Sequence, residues 1–219
     1  MNNISLTQNN KGKIQGQLLE KPIQSFEIEG EKFYVGKIVV GRLSQVSDVL
    51  PFTVSEKLLG GYNLNLQEGD YVNFGGELRS YNKVVDGKSR LILSFFVKEI
   101  LSEQEFEGNT NSLSLTGFIC KTPVFRTTPF NRQICDILLA VNRPNFNKSD
   151  YIPCILWGRN AKYIQHQKIG TKVNIQGRIQ SRLYRKEIES GQIVERTAYE
   201  VSCQKLNVLQ ENNQAQNLA

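Results

Sequence analysis

The feature that most constrains how this chain can fold is an internal repeat with a period of about 100 residues. Residues 69–80 (GDYVNFGGELRS) align with residues 170–181 (GTKVNIQGRIQS) at an offset of 101. Gly16 aligns with Gly117 at the same offset, and residues 48–51 (DVLP) align with residues 150–153 (DYIP) at 102. Separated blocks at nearly one offset indicate two copies of one structural unit.

Both copies are predicted to consist mainly of β-strands, because alternating apolar residues recur between Gly, Asn, Asp and Pro. The predicted strands are residues 37–43, 71–78 and 91–100 in the first copy and 113–118, 134–141, 151–157, 172–181 and 197–208 in the second. Residues 159–168 predict a short helix between the third and fourth strands of the second copy. Five strands with a helix at that point are typical of the OB-fold, which binds oligonucleotides or oligosaccharides. We therefore expect an all-β chain, with a short helix per unit, that forms two tandem five-stranded OB-fold barrels.

A polar, acidic segment at residues 102–111 (SEQEFEGNTN) separates the two copies and is the predicted linker. The first unit is then residues 1–101 and the second is residues 112–209, followed by a polar tail at 210–219. The charges divide unevenly between the units. Residues 1–111 carry 12 basic and 14 acidic residues, whereas residues 112–205 carry 15 basic and 6 acidic residues. A basic second unit favours a polyanionic ligand over a neutral glycan.

One predicted face of the second unit interleaves aromatic and basic side chains. Strand alternation places Tyr151 and Trp157 opposite the apolar residues Ile152, Cys154 and Leu156. Cationic side chains neutralise phosphates and flat rings stack on bases, which together suit single-stranded nucleic acid. The candidate nucleic-acid contacts on this face and in its adjoining loops are Trp157, Tyr151, Tyr184, Phe146, Arg143, Lys148, Lys172, Arg178, Arg182, Arg185 and Lys186.

The first unit lacks this aromatic set. Val49, Ser55 and Lys83 stand at the positions that hold the three aromatic residues of the second unit's strands. Tyr81 remains as one possible contact. We therefore expect the first unit to have an architectural or accessory binding role.

Other function classes find little support in the sequence. The four cysteines show no CxxC spacing and the chain has one histidine, His166, so we expect no metal site. No Gly-rich phosphate loop or GxSxG motif is present, and we expect neither enzymatic activity nor a cofactor. No apolar run approaches the roughly 18 residues of a membrane span, and the N-terminus does not read as a signal peptide. We expect a cytoplasmic protein without membrane contact.

Four blocks of the second unit together resemble the bacterial single-stranded DNA-binding protein (SSB) family. They are residues 111–117 (NSLSLTG), 137–141 (ILLAV), 150–158 (DYIPCILWG) and 170–182 (GTKVNIQGRIQSR). The resemblance implies sequence-independent binding and protection of single-stranded DNA in replication, recombination or repair, on the bacterial nucleoid. It also implies that Tyr151, Trp157 and Tyr184 stack on bases, with Phe146 near a fourth stacking position.

The resemblance also bears on assembly and partners. Members of the family usually have one OB unit per chain and form tetramers, so two units per chain imply a homodimer with four barrels. Members usually end in an acidic tail that recruits repair enzymes, but residues 210–219 contain one acid, Glu211, and we do not expect recruitment by that route. An RNA-binding or primosome-associated OB-fold protein remains the alternative, because stacking and phosphate contact do not separate DNA from RNA.

Overall fold

The fold is given by a computed structural model that describes residues 9–42, 44–85, 87–102, 110–144, 147–187 and 191–209. Twelve strands and two short helices are present in these residues. In chain order they are β1 (Asn10–Leu18), β2 (Ile23–Ile28), β3 (Glu31–Gly41), β4 (Ser47–Ser55), α1 (Glu56–Gly61), β5 (Tyr71–Val85), β6 (Lys88–Ile100), β7 (Asn111–Ile119), β8 (Val124–Thr127), β9 (Gln133–Asn142), β10 (Ser149–Trp157), α2 (Gly158–Ile164), β11 (Lys172–Glu187) and β12 (Ile193–Val208). None of the helices in the described residues is long and apolar enough to cross a membrane.

Each half of the chain closes into a five-stranded barrel. In the first unit the order is β1-β3-β4-β6-β5, and β1 closes the barrel by pairing with both β3 and β5. In the second unit the order is β7-β9-β10-β12-β11, closed by pairing of β7 with β9 and β11. The third and fifth barrel strands run parallel in both units, and a helix follows the third strand in both. The predicted pair of OB-folds is confirmed.

The interior of each barrel is filled by the residues that alternation predicts to point inward. In the first unit Phe52, Phe74 and Phe95 are almost fully buried, and the rings of Phe52 and Phe74 lie 5.1 Å apart between centroids. The buried apolar residues of the second unit's strands include Leu115, Ile119, Leu139, Ile152, Leu156, Val173, Ile175 and Val201. Cys135, Cys154 and Cys203 are buried free thiols, and Cys120 is partly buried.

The repeat at residues 69–80 and 170–181 has a structural cause at one glycine pair. The β5–β6 register shifts between Gly75 and Gly76, where β6 has the extra residue Lys98, and the β11–β12 register shifts between Gln176 and Gly177, where β12 has the extra residue Gln204. A Cβ on Gly76 would lie 2.1 Å from the Phe96 carbonyl oxygen, and one on Gly177 would lie 2.2 Å from the Ser202 carbonyl oxygen. Both contacts are far inside van der Waals distance, so each barrel needs glycine where the fourth strand bends against the fifth.

The two barrels share one sheet. β1 pairs antiparallel with β7, which joins all twelve strands into a continuous sheet. Asn10 exchanges two hydrogen bonds with the backbone of Leu78, at 2.8 and 3.0 Å. Asn111, at the equivalent position, exchanges two with the backbone of Ile179, at 2.7 and 3.0 Å. These bonds hold β1 to β5 and β7 to β11 within their own units, and the pairing of β1 with β7 joins the two units.

Candidate nucleic-acid interface

Strand register places the outward residues of five strands of the second unit on one surface, which we call the outer face. Residues directly opposite each other in a sheet lie on the same side. Ser202 of β12 lies opposite both Arg178 of β11 and Ile155 of β10. The row continues from β10 because Trp157 lies opposite Ile134 of β9. The outer face thus spans β11, β12, β10 and β9, and it extends to β8.

Trp157 lies at the end of β10, where the strand meets α2. Its residue surface is 37% exposed, and its indole Nε1 donates a hydrogen bond to Ser202 Oγ at 3.2 Å. Tyr151, six residues earlier on the same face, is 46% exposed. That separation is about 20 Å along a strand, which is room for several nucleotides. The structure therefore leaves both predicted aromatic residues accessible on the outer face.

Tyr184 and Arg182 lie on the part of the β11–β12 hairpin that extends past the barrel. Arg182 lies over the Tyr184 ring, 5.9 Å from its centroid, and its Nε lies 3.8 Å from a Glu200 carboxylate oxygen. Leu183, on the same hairpin, is 71% exposed. The barrel interior ends near Ile179, and the hairpin beyond it has no core to face.

The residues of the outer face between Trp157 and Arg182 are polar and buried. Gln180 Nε2 donates a hydrogen bond to Glu200 Oε1 at 2.7 Å, and both residues are buried. Ser202, which accepts the Trp157 hydrogen bond, is also buried. Buried polar residues therefore lie between the exposed Trp157 and the exposed Arg182 on the outer face.

Two of the arginines predicted to contact phosphates, Arg143 and Arg178, bind other residues of the chain. Arg143 donates to both carboxylate oxygens of Asp150, at 3.0 and 2.7 Å, and to the Ser80 carbonyl oxygen at 2.9 Å. Arg178 Nη1 donates to Asp48 Oδ2 at 3.2 Å, and burial together with the nearby Arg42 charge lowers the pKa of Arg178. Both guanidiniums therefore take part in contacts between the units, and their contact with nucleic acid stays a prediction.

The other predicted basic residues are scattered. Arg185 is exposed and lies 3.3 Å from Glu195, and Lys148 is exposed in the β9–β10 loop. Lys172 lies at the start of β11 with its Nζ 5.8 Å from the Phe118 ring centroid, and ten residues, about 33 Å of strand, separate it from Arg182. The structure thus separates Lys172 from the aromatic groups. Phe146 and the Lys186 side chain lie outside the described residues.

An exposed aromatic residue that the sequence analysis did not select lies at the tip of the β8–β9 hairpin. Phe130 is 86% exposed. The turn is held by hydrogen bonds from Thr128 N to the Arg132 carbonyl and from Arg132 N to Thr128 Oγ1, and Asn131 adopts a positive φ of 56°. Arg126 lies opposite Ile134 and so belongs to the outer face. The signal was a phenylalanine between Pro129 and Asn131, two residues typical of turns.

The buried thiols are unsuited to nucleophilic or metal chemistry. Burial raises the pKa of Cys203 to about 12, and burial together with the Asp136 charge raises that of Cys135 to about 11. Burial also holds the pKa of Cys154 well above its ordinary value. Thiols with such pKa values stay protonated at neutral pH. Among the described residues no group of three or more His, Cys, Asp or Glu side chains is placed to hold a metal ion.

Among the comparisons with known proteins, the family match lies in the second unit. Residues 110–209 match the single-strand binding protein family. Single-stranded DNA-binding protein 3 of Streptococcus agalactiae serotype V is 35% identical over 112 residues, which are 48% of this chain and 78% of that protein. Single-stranded DNA-binding protein 1 of Staphylococcus aureus is 34% identical over 113 residues, which are 49% of this chain and 65% of that protein.

Likeness of fold extends over both units. The wild-type single-stranded DNA binding protein from Thermus aquaticus matches 92% of this chain and 93% of its own, with a TM-score of 0.71 and 16% sequence identity. At that identity the match bears on the fold alone. Because a relative 35% identical is covered over 78% of its length, the sequence likeness goes beyond shared fold. The chain belongs to the single-strand binding protein family.

Proposed function

We propose that the outer face of the second unit binds single-stranded DNA without sequence preference. In this proposal Tyr151, Trp157 and Tyr184 stack on bases, and Arg182 and Arg185 neutralise phosphates, with Lys148 and Lys186 at the margins. The observation that carries the proposal is the joint exposure of Trp157 and Tyr151 on the face that also bears the cationic hairpin. Stacking is tolerant of sequence because every base has a flat π-face.

The cellular role that we propose is protection of exposed single strands during replication, recombination or repair in the bacterial cytoplasm, at the nucleoid. The relatives from Streptococcus agalactiae and Staphylococcus aureus are named as single-stranded DNA-binding proteins, which supports this role. We propose a binding function without catalysis or a cofactor. The RNA-binding or primosome-associated alternative has no observation in its favour.

We propose that the two units contribute unequally to DNA binding. The units are residues 1–101 and 112–209, joined by residues 102–111. Ser55 stands where the second unit has Trp157, and its Oγ accepts a hydrogen bond from Leu58 N at 3.2 Å as the N-cap of α1. The residue at this position therefore caps a helix in the first unit and carries an exposed ring in the second. The negative charge balance of residues 1–111 further supports an architectural or accessory role for the first unit.

A competition experiment tests the proposed function. The affinities for oligo-dT, oligo-rU and duplex DNA of equal length are measured at two salt concentrations. We expect oligo-dT to bind far more tightly than duplex, with log K falling by about 0.7 per phosphate contact for each tenfold rise in salt. Equal affinity for duplex and single strand would contradict the proposal, and tighter binding of oligo-rU would favour the RNA alternative.

A further inference from the structure

We propose that Asp48 of the first unit is a positioning residue for the DNA-binding hairpin of the second unit. The inference rests on the proposed function, because it assumes that the β11–β12 hairpin contacts the single strand. It assigns the first unit a specific part in binding that does not require that unit to touch DNA.

The contacts of Asp48 cross the seam between the units. Its side chain is buried, and Oδ1 accepts hydrogen bonds from Ser181 N at 2.7 Å and from Ser181 Oγ at 3.1 Å. Oδ2 accepts from Arg178 Nη1 at 3.2 Å and from Arg42 Nε at 2.7 Å. The carboxylate of one unit therefore binds the backbone and two side chains of the other.

Neighbouring groups of the first unit complete the hold on Ser181. Arg42 Nη2 donates to the Ser181 carbonyl oxygen at 3.2 Å, and Val49 N donates to Ser181 Oγ at 3.3 Å. The N–H, the carbonyl and the hydroxyl of Ser181 are thus all bound by the first unit. We call this set of contacts the Asp48 clamp. A buried carboxylate with two guanidinium partners and a backbone N–H has a well-defined geometry that water does not readily replace.

The clamp acts where the hairpin leaves the barrel. Ser181 directly precedes Arg182 and lies three residues before Tyr184, whereas Ile179, two residues earlier, is still in the core. Leu183 is 71% exposed, so the barrel does not cover the hairpin beyond the clamp. The direction in which the hairpin projects, and with it the position of Tyr184, is therefore set at Ser181.

The repeat provides a matched control. Asp150 of the second unit accepts from Ser80 N at 2.7 Å and from Arg79 Nη1 at 2.9 Å, and Arg143 Nη2 donates to the Ser80 carbonyl at 2.9 Å. This second clamp holds the β5–β6 hairpin of the first unit, which has Lys83 where β11 has Tyr184. The two clamps are alike in chemistry and differ in the hairpin that they hold.

The test is a double-mutant cycle in the full chain, with oligo-dT affinity read from the anisotropy of a labelled oligonucleotide. We expect Asp48→Asn to weaken binding about fivefold or more, a loss comparable to that of one stacked base. In the Tyr184→Ala background Asp48→Asn should cost clearly less than in the parent, because part of its effect is the displacement of the Tyr184 ring. In the Trp157→Ala background it should cost its full amount. Asp150→Asn should leave the effect of Tyr184→Ala unchanged.

Several results would overturn the positioning role. One is that Asp48→Asn binds oligo-dT with the parent's affinity. Another is that Asp48→Asn loses as much affinity in the Tyr184→Ala background as in the parent. A third is that Asp150→Asn is coupled to Tyr184→Ala as strongly as Asp48→Asn is. If Asp48→Asn does not fold, Ser181→Ala removes two clamp hydrogen bonds without stranding a charge and should show the same coupling at smaller size. If Tyr184→Ala and Trp157→Ala both bind like the parent, the proposed face itself is wrong. If those two lose affinity and Asp48→Asn does not, the positioning role alone is wrong.

Discussion

Trp157 and its counterpart in the first unit, Ser55, differ in whether they cap the helix that follows. Ser55 caps α1 with its side chain, but Trp157 at the N-cap of α2 makes no side-chain cap hydrogen bond. Serine at that position typically stabilises a helix by about 1 kcal/mol relative to residues that cannot cap. Residues that are unfavourable for the local secondary structure are expected at functional sites. The missing cap at Trp157 is what we expect if its ring contacts the proposed ligand.

A second prediction about a single residue is that Phe130 contacts long oligonucleotides. Its ring projects from a hydrogen-bonded turn next to the outer face, with Arg126 and Arg132 nearby. We expect Phe130→Ala to weaken binding of long oligo-dT by about 1–3 kcal/mol, the usual range for one stacking ring. Binding of an oligonucleotide too short to reach past Trp157 should not change. The measurement is affinity as a function of oligonucleotide length.

The control for Phe130 is Tyr71→Ala, which removes a 62% exposed ring from the first unit. We expect this variant to bind every length like the parent. An equal loss in both variants, or a Phe130→Ala loss that is the same at all lengths, would show that the hairpin tip does not extend the binding surface.

At the scale of elements, the sequence missed two strands outside the barrels, β2 and β8, and two strands of the first barrel, β1 and β4. β2 is exposed along its length and β8 has four residues, so neither shows a clear apolar alternation. β1 alternates Lys, Gln and Gly with few apolar residues, and β4 contains Pro51. β11 was predicted to end at residue 181 but continues to Glu187, because backbone pairing with β12 holds it together after the hydrophobic pattern has stopped.

Gly177, which faces the β-bulge of β12, allows a direct test of the repeat. We expect Gly177→Ala to destabilise the protein by at least about 1–3 kcal/mol, because its Cβ would lie 2.2 Å from a backbone oxygen that cannot move freely. Gly41→Ala is the control, since nothing lies within 4 Å of a Cβ there. Urea unfolding of the two variants measures the difference. Similar stabilities would mean that the bulge accommodates a side chain and that the shared glycine needs another explanation.

At the scale of the whole molecule, the seam between the units explains why two of the predicted nucleic-acid contacts have partners within the chain. Arg143 and Arg178 follow the pattern of outward basic residues, and their sequence neighbourhood does not reveal their partners. Arg178 binds Asp48 at a separation of 130 residues, and Arg143 binds the Ser80 carbonyl at 63. Trp157 and Tyr151 were predicted to be exposed because strand alternation is local. Contacts across the seam depend on how two barrels meet, and no local pattern reports that.

The homodimer remains a prediction about the whole molecule. Two barrels per chain supply half of the four that the family resemblance implies. We expect multi-angle light scattering to give about twice the chain mass of 24.9 kDa at micromolar concentration. A mass equal to one chain across the concentrations used for DNA binding would reject the dimer and leave the two-barrel chain as the binding species.

The most direct test of the central claim, that a single strand lies on the outer face of the second unit, uses the fluorescence of Trp157. It is the chain's one tryptophan, so the signal has a single source. We predict saturable quenching on addition of oligo-dT, little change with duplex DNA, and a loss of about 1–3 kcal/mol of binding free energy in a folded Trp157→Ala variant. Unchanged fluorescence at oligonucleotide concentrations that saturate binding by anisotropy, together with parental affinity in Trp157→Ala, would contradict the claim and place the strand elsewhere.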